Sequence, residues 1–254
     1  MNMLRSEFYK LKKSKAFWAC VAACILFGAF LPLALQQAVL SGESEVRDLA
    51  LSAVNILSFS FGMPFLSLIV GVFISIFVSS EFHYGTMKNA LSKGMPRERV
   101  FLTKFAACAA AVTGMFILFI ASILISGTCF FGFDPQGVFQ LGSFLGMLLT
   151  TWLLFMAYTA VFEVVAMNMR SNGAAIATNI CMVTVFPTIL KALDFLLKST
   201  GVKLSSLWLD GGVSAVTALP MGAGAVGSGL LMAVIYLAVM GAVGIALFRK
   251  TDVK

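Results

Sequence analysis

Two carboxylates, one imidazole and five basic groups are crowded into one polar stretch of this sequence, residues 79–104. They belong to Glu81, His83, Lys88, Lys93, Arg97, Glu98, Arg99 and Lys104. The segments on either side are apolar enough to cross a bilayer, so we expect the stretch to be a loop in water. Side chains of these types and spacing are suited to recognising a partner surface through charge complementarity. What this loop faces is therefore the central functional question.

The loop also has a predicted local structure. Thr86 is a suitable N-cap for a short helix over residues 87–93, and Gly94 is a suitable C-cap. Pro96 is expected to start the next helix, because proline is favoured in the first turn. A short helix here presents a small apolar face suited to docking, made of Met87, Ala90 and Leu91. The alternative is an ordinary basic loop, and the spacing alone does not choose between the two.

The elements that must position this loop are membrane spans. The chain has 254 residues, of which 60% are hydrophobic and 11% charged, whereas soluble domains carry about 25% charged residues. Six apolar segments reach the length of about 20 residues that a spanning helix needs. They cover residues 17–40, 59–79, 100–131, 141–168, 173–196 and 227–248. The predicted fold is an all-α integral membrane protein, with six transmembrane helices in one domain over residues 1–254.

The distribution of basic residues predicts the orientation of these spans. If the N-terminus lies inside, only four of the 18 Lys and Arg residues fall outside, namely Arg47, Lys191, Lys198 and Lys203. Cytoplasmic loops carry the excess of basic residues. We therefore expect both termini and the loop at residues 80–99 to be cytoplasmic.

Two further segments are unusual for plain loops. Residues 1–16 are basic and amphipathic, with Leu4, Phe8 and Leu11 on one face, which predicts a helix lying in the interface and contacting anionic membrane lipid. The alternative is a plain charged flank of the first span. Residues 197–226 are too apolar for a free loop, and glycines and Pro220 interrupt them too often for a span. Short helices dipping into the outer leaflet, in a re-entrant segment before the last span, satisfy both facts.

Polar residues within the spans are candidates for a substrate pathway. They are Thr159, Glu163, Thr178, Asn179 and Thr184. A carboxylate inside a membrane is costly unless it is paired or faces a cavity, so Glu163 is the first of them. The alternative is structural: Glu163 pairs with Arg170 or reaches the cytoplasmic interface, and the others form hydrogen bonds between helices.

A glycine motif near the last span has no nucleotide-binding context. Gly222, Gly224 and Gly227 match G-x-G-x-x-G, but no strand precedes them and no acidic residue follows at the required distance. Glycines that let helices approach closely are the better interpretation. We expect Ala238, Ala242 and Ala246 to continue this small-residue face.

Several classes of function are disfavoured by what the sequence lacks. The five cysteines form no C-x-x-C pair and His83 is the single histidine, so no metal site is predicted. Basic residues flank apolar spans, which disfavours nucleic acid as a partner. No H-E-x-x-H or G-x-G-D motif supports an intramembrane enzyme. The sequence also lacks G-x-x-x-x-G-K-[ST], so ATP is not bound through that motif.

Residues 79–104 resemble the cytoplasmic loop of ABC-2 type transporter permeases. In that family an acidic residue and Gly-Thr precede a short coupling helix, and a basic run leads into the third span. The matching positions are Glu81, Gly85, Thr86, Lys88, Asn89, Leu91, Arg97 and Lys104. The N-terminal LRSEFYKLKKSKAFW is similar to the family's amphipathic elbow helix, and FRKTDVK is similar to its basic ending.

The resemblance implies the membrane half of an ATP-driven exporter of bacterial plasma membranes. Two ATP-binding subunits, which carry ATP and Mg, would dock on the coupling helix through Glu81, Gly85, Thr86, Met87, Lys88, Asn89, Leu91 and Arg97. A second permease copy or a homologue completes the assembly. The chain looks most like permeases of bacitracin resistance and lantibiotic immunity, which move amphipathic peptides or drugs. The alternatives are a membrane sensor or anchor that transports nothing, and a lone channel.

Overall fold

The structure is a computed structural model that describes residues 3–41, 52–83, 96–134, 140–169, 171–197, 203–218 and 223–250. Every regular element within these ranges is helical, which confirms the all-α prediction. The elements are α1 (Met3–Lys13), α2 (Lys15–Leu40), α3 (Ala53–Gly62), α4 (Phe65–His83), α5 (Arg97–Phe131), α6 (Leu141–Met169), α7 (Asn172–Leu196), a 3-10 helix (Leu204–Leu207), α8 (Leu209–Thr217) and α9 (Ala223–Lys250).

Five of the described helices are long and apolar enough to cross a membrane, namely α2, α5, α6, α7 and α9. The number rises to six if α3 and α4 together form one span. The chain is therefore a multi-pass membrane protein. The start of α5 directly after Pro96 agrees with the expectation from the sequence.

The second span differs from its prediction. The sequence predicts one span over residues 59–79, but α3 and α4 are separate helices that meet at a bend of 53°. Pro64 explains the break, because the residue before a proline disfavours the helical conformation. That residue, Met63, is extended, with ψ at 142°. Ser52 caps the earlier start of α3 by accepting a hydrogen bond from the Asn55 N–H at 3.2 Å.

A serine separates the amphipathic N-terminal helix from the first span. The Ser14 hydroxyl accepts a hydrogen bond from the Phe17 N–H at 3.3 Å, which caps α2. Trp18 then donates from Nε1 to the Lys12 carbonyl at 2.9 Å and ties the start of α2 back to α1. The helix predicted for residues 1–16 therefore exists as Met3–Lys13. Its position at the membrane surface stays a prediction.

Helix α6 forms the centre of the bundle. It is the most buried of the candidate spans, and α4, α5, α7, α8 and α9 pack around it. Helix α2 packs on α5, where Ser122 and Ser126 donate hydrogen bonds to the carbonyls of Ile25 and Gly28 at 2.8 and 3.0 Å. Hydrogen bonds of this kind contribute to helix association inside lipid, where the hydrophobic effect does not drive it.

Close helix contacts in α9 lie at glycines other than those predicted. Nothing lies within 4 Å of a Cβ added at Gly224 or Gly227, so the prediction for these two positions is wrong. Ala238, Ala242 and Ala246 are exposed, and Gly222 lies outside the described residues. The close approaches are instead at Gly229, against Val216 and Thr150, and at Gly244, against Phe101. Glycine motifs show where a helix has small side chains, but only the helix register decides which of these positions contacts a neighbouring helix.

The apolar link before α9 contains short helices, as predicted. Asp194 accepts hydrogen bonds from the N–H groups of Leu204 and Ser205 at the start of the 3-10 helix. Lys191 forms a 3.0 Å ion pair with Asp210. These contacts fasten the link to the end of α7. Whether it dips into the outer leaflet stays a prediction.

Candidate functional site

Four charged side chains from three separate parts of the chain meet at one end of the bundle. Lys104 Nζ lies 2.9 Å from Glu7 Oε2 and 2.6 Å from Glu81 Oε1. Lys10 Nζ lies 2.7 Å from Glu7 Oε1 and 2.8 Å from Glu81 Oε1. Each cation therefore contacts both carboxylates. We call Glu7, Lys10, Glu81 and Lys104 the ion cluster.

The ion cluster is buried on one side and open on the other. The side chains of Lys104 and Glu7 are 2% and 4% exposed, and that of Glu81 is 12% exposed, whereas Lys10 is 42% exposed. The Lys104 ammonium also lies 4.8 Å from the ring centre of Phe77, a distance suited to a cation–π interaction. Two positive and two negative groups cancel, so the cluster buries no net charge. Burial of these ions is tolerable only while the geometry of the set is kept.

The pKa values in α1 reflect this arrangement. Burial alone would raise the pKa of Glu7, but the ammonium of Lys104 and hydrogen bonds from Lys10 and Lys104 lower it overall. For Lys10, burial alone would lower the pKa, but hydrogen bonds to Glu7 and Glu81 and their charges raise it overall. Both shifts favour the charged forms, so these residues of α1 are held as ions around neutral pH.

The helices position the cluster at the two ends of the loop predicted at residues 80–99. Glu81 lies in the last turn of α4, immediately before the segment 84–95, and Lys104 lies in the second turn of α5 after it. Glu7 and Lys10 are three residues apart and therefore share one face of α1. In addition, Arg97 donates from a guanidinium nitrogen to the Phe248 carbonyl at 3.3 Å, which connects the start of α5 to the end of α9. The loop ends are thus fastened to α1 and α9.

The predicted docking residues divide into two groups. Glu81 and Arg97 lie at this end of the bundle, in the contacts just described. The others lie outside the described residues and stay predictions: Gly85, Thr86, Met87, Lys88, Asn89 and Leu91.

Sequence reasoning missed the contribution of α1. Glu7 is the one acidic residue among fifteen N-terminal positions that hold five basic ones. It also lies in register with Leu4 and Leu11, on the stripe that the amphipathic pattern assigns to apolar side chains. A carboxylate on an apolar stripe needs a buried partner, so that signal could have indicated a buried cation beside Glu7 without identifying Lys104.

The predicted pathway residues lie mainly inside the bundle. Thr159, Glu163 and Asn179 are fully buried, whereas Thr178 and Thr184 are half-buried. Asn179 donates from Nδ2 to Ser75 Oγ at 2.8 Å and so joins α7 to α4, as the structural interpretation expects.

Glu163 is different, because neither carboxylate oxygen has a hydrogen-bond partner among the described residues. A buried carboxylate in this state is costly, which keeps a functional role for it open to test. The predicted pairing with Arg170 involves a residue outside the described ranges. Roles in transport for these five residues stay predictions.

Comparison with known families identifies the class of this protein. The sequence profile of the ABC-2 family transporter proteins matches residues 3–188, more than two thirds of the chain. The chain therefore belongs to the ABC-2 family of transporter proteins. No curated protein matches the sequence significantly.

The match confirms the family that the resemblance of residues 79–104 indicated. ABC-2 permeases are the membrane components of their transporters, lack an ATPase motif of their own, and generally pair with an ATP-binding subunit. The match includes α1, the loop and the ion cluster, all within residues 3–188.

Proposed function

We propose that this chain is the permease subunit of an ATP-driven exporter and that the ion cluster transmits movement of its coupling loop. The proposal joins the family assignment to one observation. Glu81 and Lys104, at the two ends of the loop, form an ion pair with each other, and each also pairs with a residue of α1, Glu81 with Lys10 and Lys104 with Glu7. A force on the loop therefore reaches α1, α4 and α5 together.

The transmission step follows from how such clusters behave. Closure of two ATP-binding subunits would pull or push the short helix that we expect over residues 87–93. When one partner leaves a buried, neutral ion cluster, the charge left behind is costly. The cluster therefore resists small distortions. The helices that carry it then move as one unit, which favours a rigid-body change of the bundle. Such a change would alter the side of the membrane to which a central cavity opens.

The remaining parts of the proposal come from the family resemblance. The transporter contains two ATP-binding subunits, which hold ATP and Mg, and a second permease copy or homologue. It resides in a bacterial plasma membrane with both termini in the cytoplasm. Its substrates are amphipathic peptides or drugs, as in the bacitracin-resistance and lantibiotic-immunity permeases that the sequence resembles most.

Co-expression with the ATP-binding protein encoded beside this chain tests the proposal. We expect a complex with two copies of each chain, and ATP hydrolysis that amphipathic peptides stimulate. A chain that never retains an ATP-binding subunit would contradict the proposal. A stable complex whose ATPase activity responds to no peptide would favour the sensor or anchor alternative.

Matched variants of α1 test the role of the ion cluster in the same complex. Lys10 lies in the cluster and Lys12, on the same helix, is exposed and lies outside it. We expect Lys10→Gln and Glu81→Gln to lower stimulated ATPase activity while the complex still assembles, and Lys12→Gln to leave it unchanged. Equal activity in all three variants would remove the cluster from the mechanism without affecting the permease assignment.

A further inference from the structure

A cavity of about 350 Å³ lies between α2, α3 and α8. It is far from the ion cluster, because α4 separates the bend at Pro64 from Glu81 by roughly 26 Å of helix. The size is at the lower end of small-molecule sites, which span about 300–1,000 Å³. It therefore suits a head group with a short apolar segment.

The cavity has apolar walls and a small set of polar groups. Apolar surface comes from side chains that include Leu35 and Phe59, and no charged residue lines it among the described residues. The polar groups are the amide of Asn55 and the hydroxyls of Ser58, Ser214 and Thr217. Few polar groups in an apolar cleft are the usual composition of a ligand site.

The three hydroxyls present acceptors to the cavity. Ser58 donates to the Val54 carbonyl at 3.1 Å or to Met147 Sδ at 3.5 Å, Ser214 to the Gly211 carbonyl at 3.0 Å, and Thr217 to the Val213 carbonyl at 2.8 Å. Each hydroxyl has one proton, and these bonds use it. The lone pairs of the oxygens stay available. A ligand that contacts them must therefore supply hydrogen-bond donors.

The end of α3 adds a preference for positive charge. Gly62, the last residue of this helix, lines the cavity together with Met63. The last carbonyls of a helix carry partial negative charge, which favours a cation close to them. The Met63 N–H donates to the Ser60 carbonyl at 3.2 Å, but the bend at Pro64 interrupts the regular series of helical backbone hydrogen bonds beyond it. Interrupted spans place such carbonyls beside cavities that bind ligands.

We propose that this cavity binds the ammonium group of an amphipathic molecule, with the apolar part of that molecule along Leu35 and Phe59. Hydroxyl oxygens and helix-end carbonyls accept the N–H bonds. The inference adds a ligand class and a site to the proposed function. It rests on that function only in calling the ligand a transport substrate.

Photolabelling of the purified full chain in an uncharged detergent tests the site. The probe is a long-chain primary amine with a diazirine in its chain, and the comparator is a sulfate with the same chain. Labelled peptides are mapped by mass spectrometry. We expect the amine to label α3 and α8, and the sulfate to label them at least fivefold less.

Two glycine variants locate the labelling. A Cβ added at either Gly62 or Gly142 meets nothing within 4 Å, and both residues lie near helix ends, but only Gly62 lines the cavity. Gly62→Leu should fill the space and lower labelling at least fivefold, whereas Gly142→Leu should leave it unchanged. Thr217→Val should raise the amine concentration for half-maximal labelling about tenfold, because one bond to a charged donor is lost.

The results of this assay test the cavity independently of the transport assignment. Equal labelling by amine and sulfate, or full labelling of Gly62→Leu, would overturn the proposal. If Gly62→Leu is not recovered folded, Ser214→Ala at an exposed position serves in its place, and unchanged labelling there is equally contrary. The assay needs no ATP-binding subunit. An absence of labelling would therefore not affect the test of coupling to ATP hydrolysis. An absence of coupled ATPase activity would likewise not affect the cavity proposal.

Discussion

Lys104 and Glu7 are 97 positions apart in the chain, yet Nζ of the lysine lies 2.9 Å from Oε2 of the glutamate and both side chains are buried. This pair joins the amphipathic helix α1 to α5, close to the end of the loop predicted at residues 80–99. Glu81 and Lys10 complete the set. We propose that a movement of the loop reaches the membrane helices at this place.

Lys104→Met should destabilise the protein strongly. Removing one partner of a buried ion pair typically costs about 3–5 kcal/mol, because the other charge stays buried. Thermal unfolding of the purified protein in detergent measures the effect, with Lys12→Met as the exposed control. The double variant Glu7→Leu/Lys104→Met should recover much of the loss. A single variant no less stable than the Lys12→Met control would contradict the buried pairing.

The cluster should respond to acid below the ordinary pKa of glutamate. The folded pKa of Glu7 is lowered, so its stabilising contribution is complete above about pH 4.3 and is lost as the pH falls through the folded value. The pKa of Lys10 is raised, so its contribution is complete below about pH 10.4 and is lost at higher pH.

The thermal stability of the wild type relative to Glu7→Gln reports this dependence. The difference should stay constant from about pH 5 to pH 8 and shrink as the pH falls below about 4. A difference that changes mainly between pH 6 and pH 8 would assign the titration to a group other than Glu7.

Gly229 and Gly227 should respond oppositely to alanine. A Cβ at Gly229 would lie 2.5 Å from Val216 Cγ2 and 2.8 Å from Thr150 Cγ2, and overpacking of this kind costs about 1–3 kcal/mol. At Gly227 the space is open, so the helix gains up to about 1 kcal/mol from the propensity of alanine. Unfolding midpoints of the two variants in the same detergent test this. Equal midpoints would show that α9 does not pack closely on Val216 and Thr150 at Gly229.

Glu163→Gln should change peptide transport or basal ATPase activity, because it removes a buried carboxylate that has no hydrogen-bond partner among the described residues. The amide keeps the shape and removes the ionisable group, so folding should be preserved. Thr159→Val, one turn away, shows whether other polar groups on that face matter. Wild-type values for both activities in Glu163→Gln would leave Glu163 with a structural role.

Lys88 and Lys203 should lie on opposite sides of the membrane. We expect Lys88 to crosslink to the ATP-binding subunit and to resist an amine reagent that cannot enter cells, whereas exposed Lys203 reacts with it. Mass spectrometry of labelled whole cells distinguishes the two lysines. Reaction of Lys88 from outside would reverse the predicted topology and exclude the loop as a docking site.

The sequence by itself determined the helical class, the approximate bounds of the spans and the family. Long apolar segments in lipid have few options other than helices, and the loop motif is local in the chain. Pro64 could also have indicated the broken span, because the effect of a proline on the preceding residue is local.

Only the tertiary structure decided which residues meet. Glu7 finds Lys104 across 97 positions, and Gly229 rather than Gly227 contacts its neighbours, because such contacts depend on helix register and packing. The cavity between α2, α3 and α8 has the same origin. Its polar groups come from helices far apart in the chain, and no local pattern brings them together.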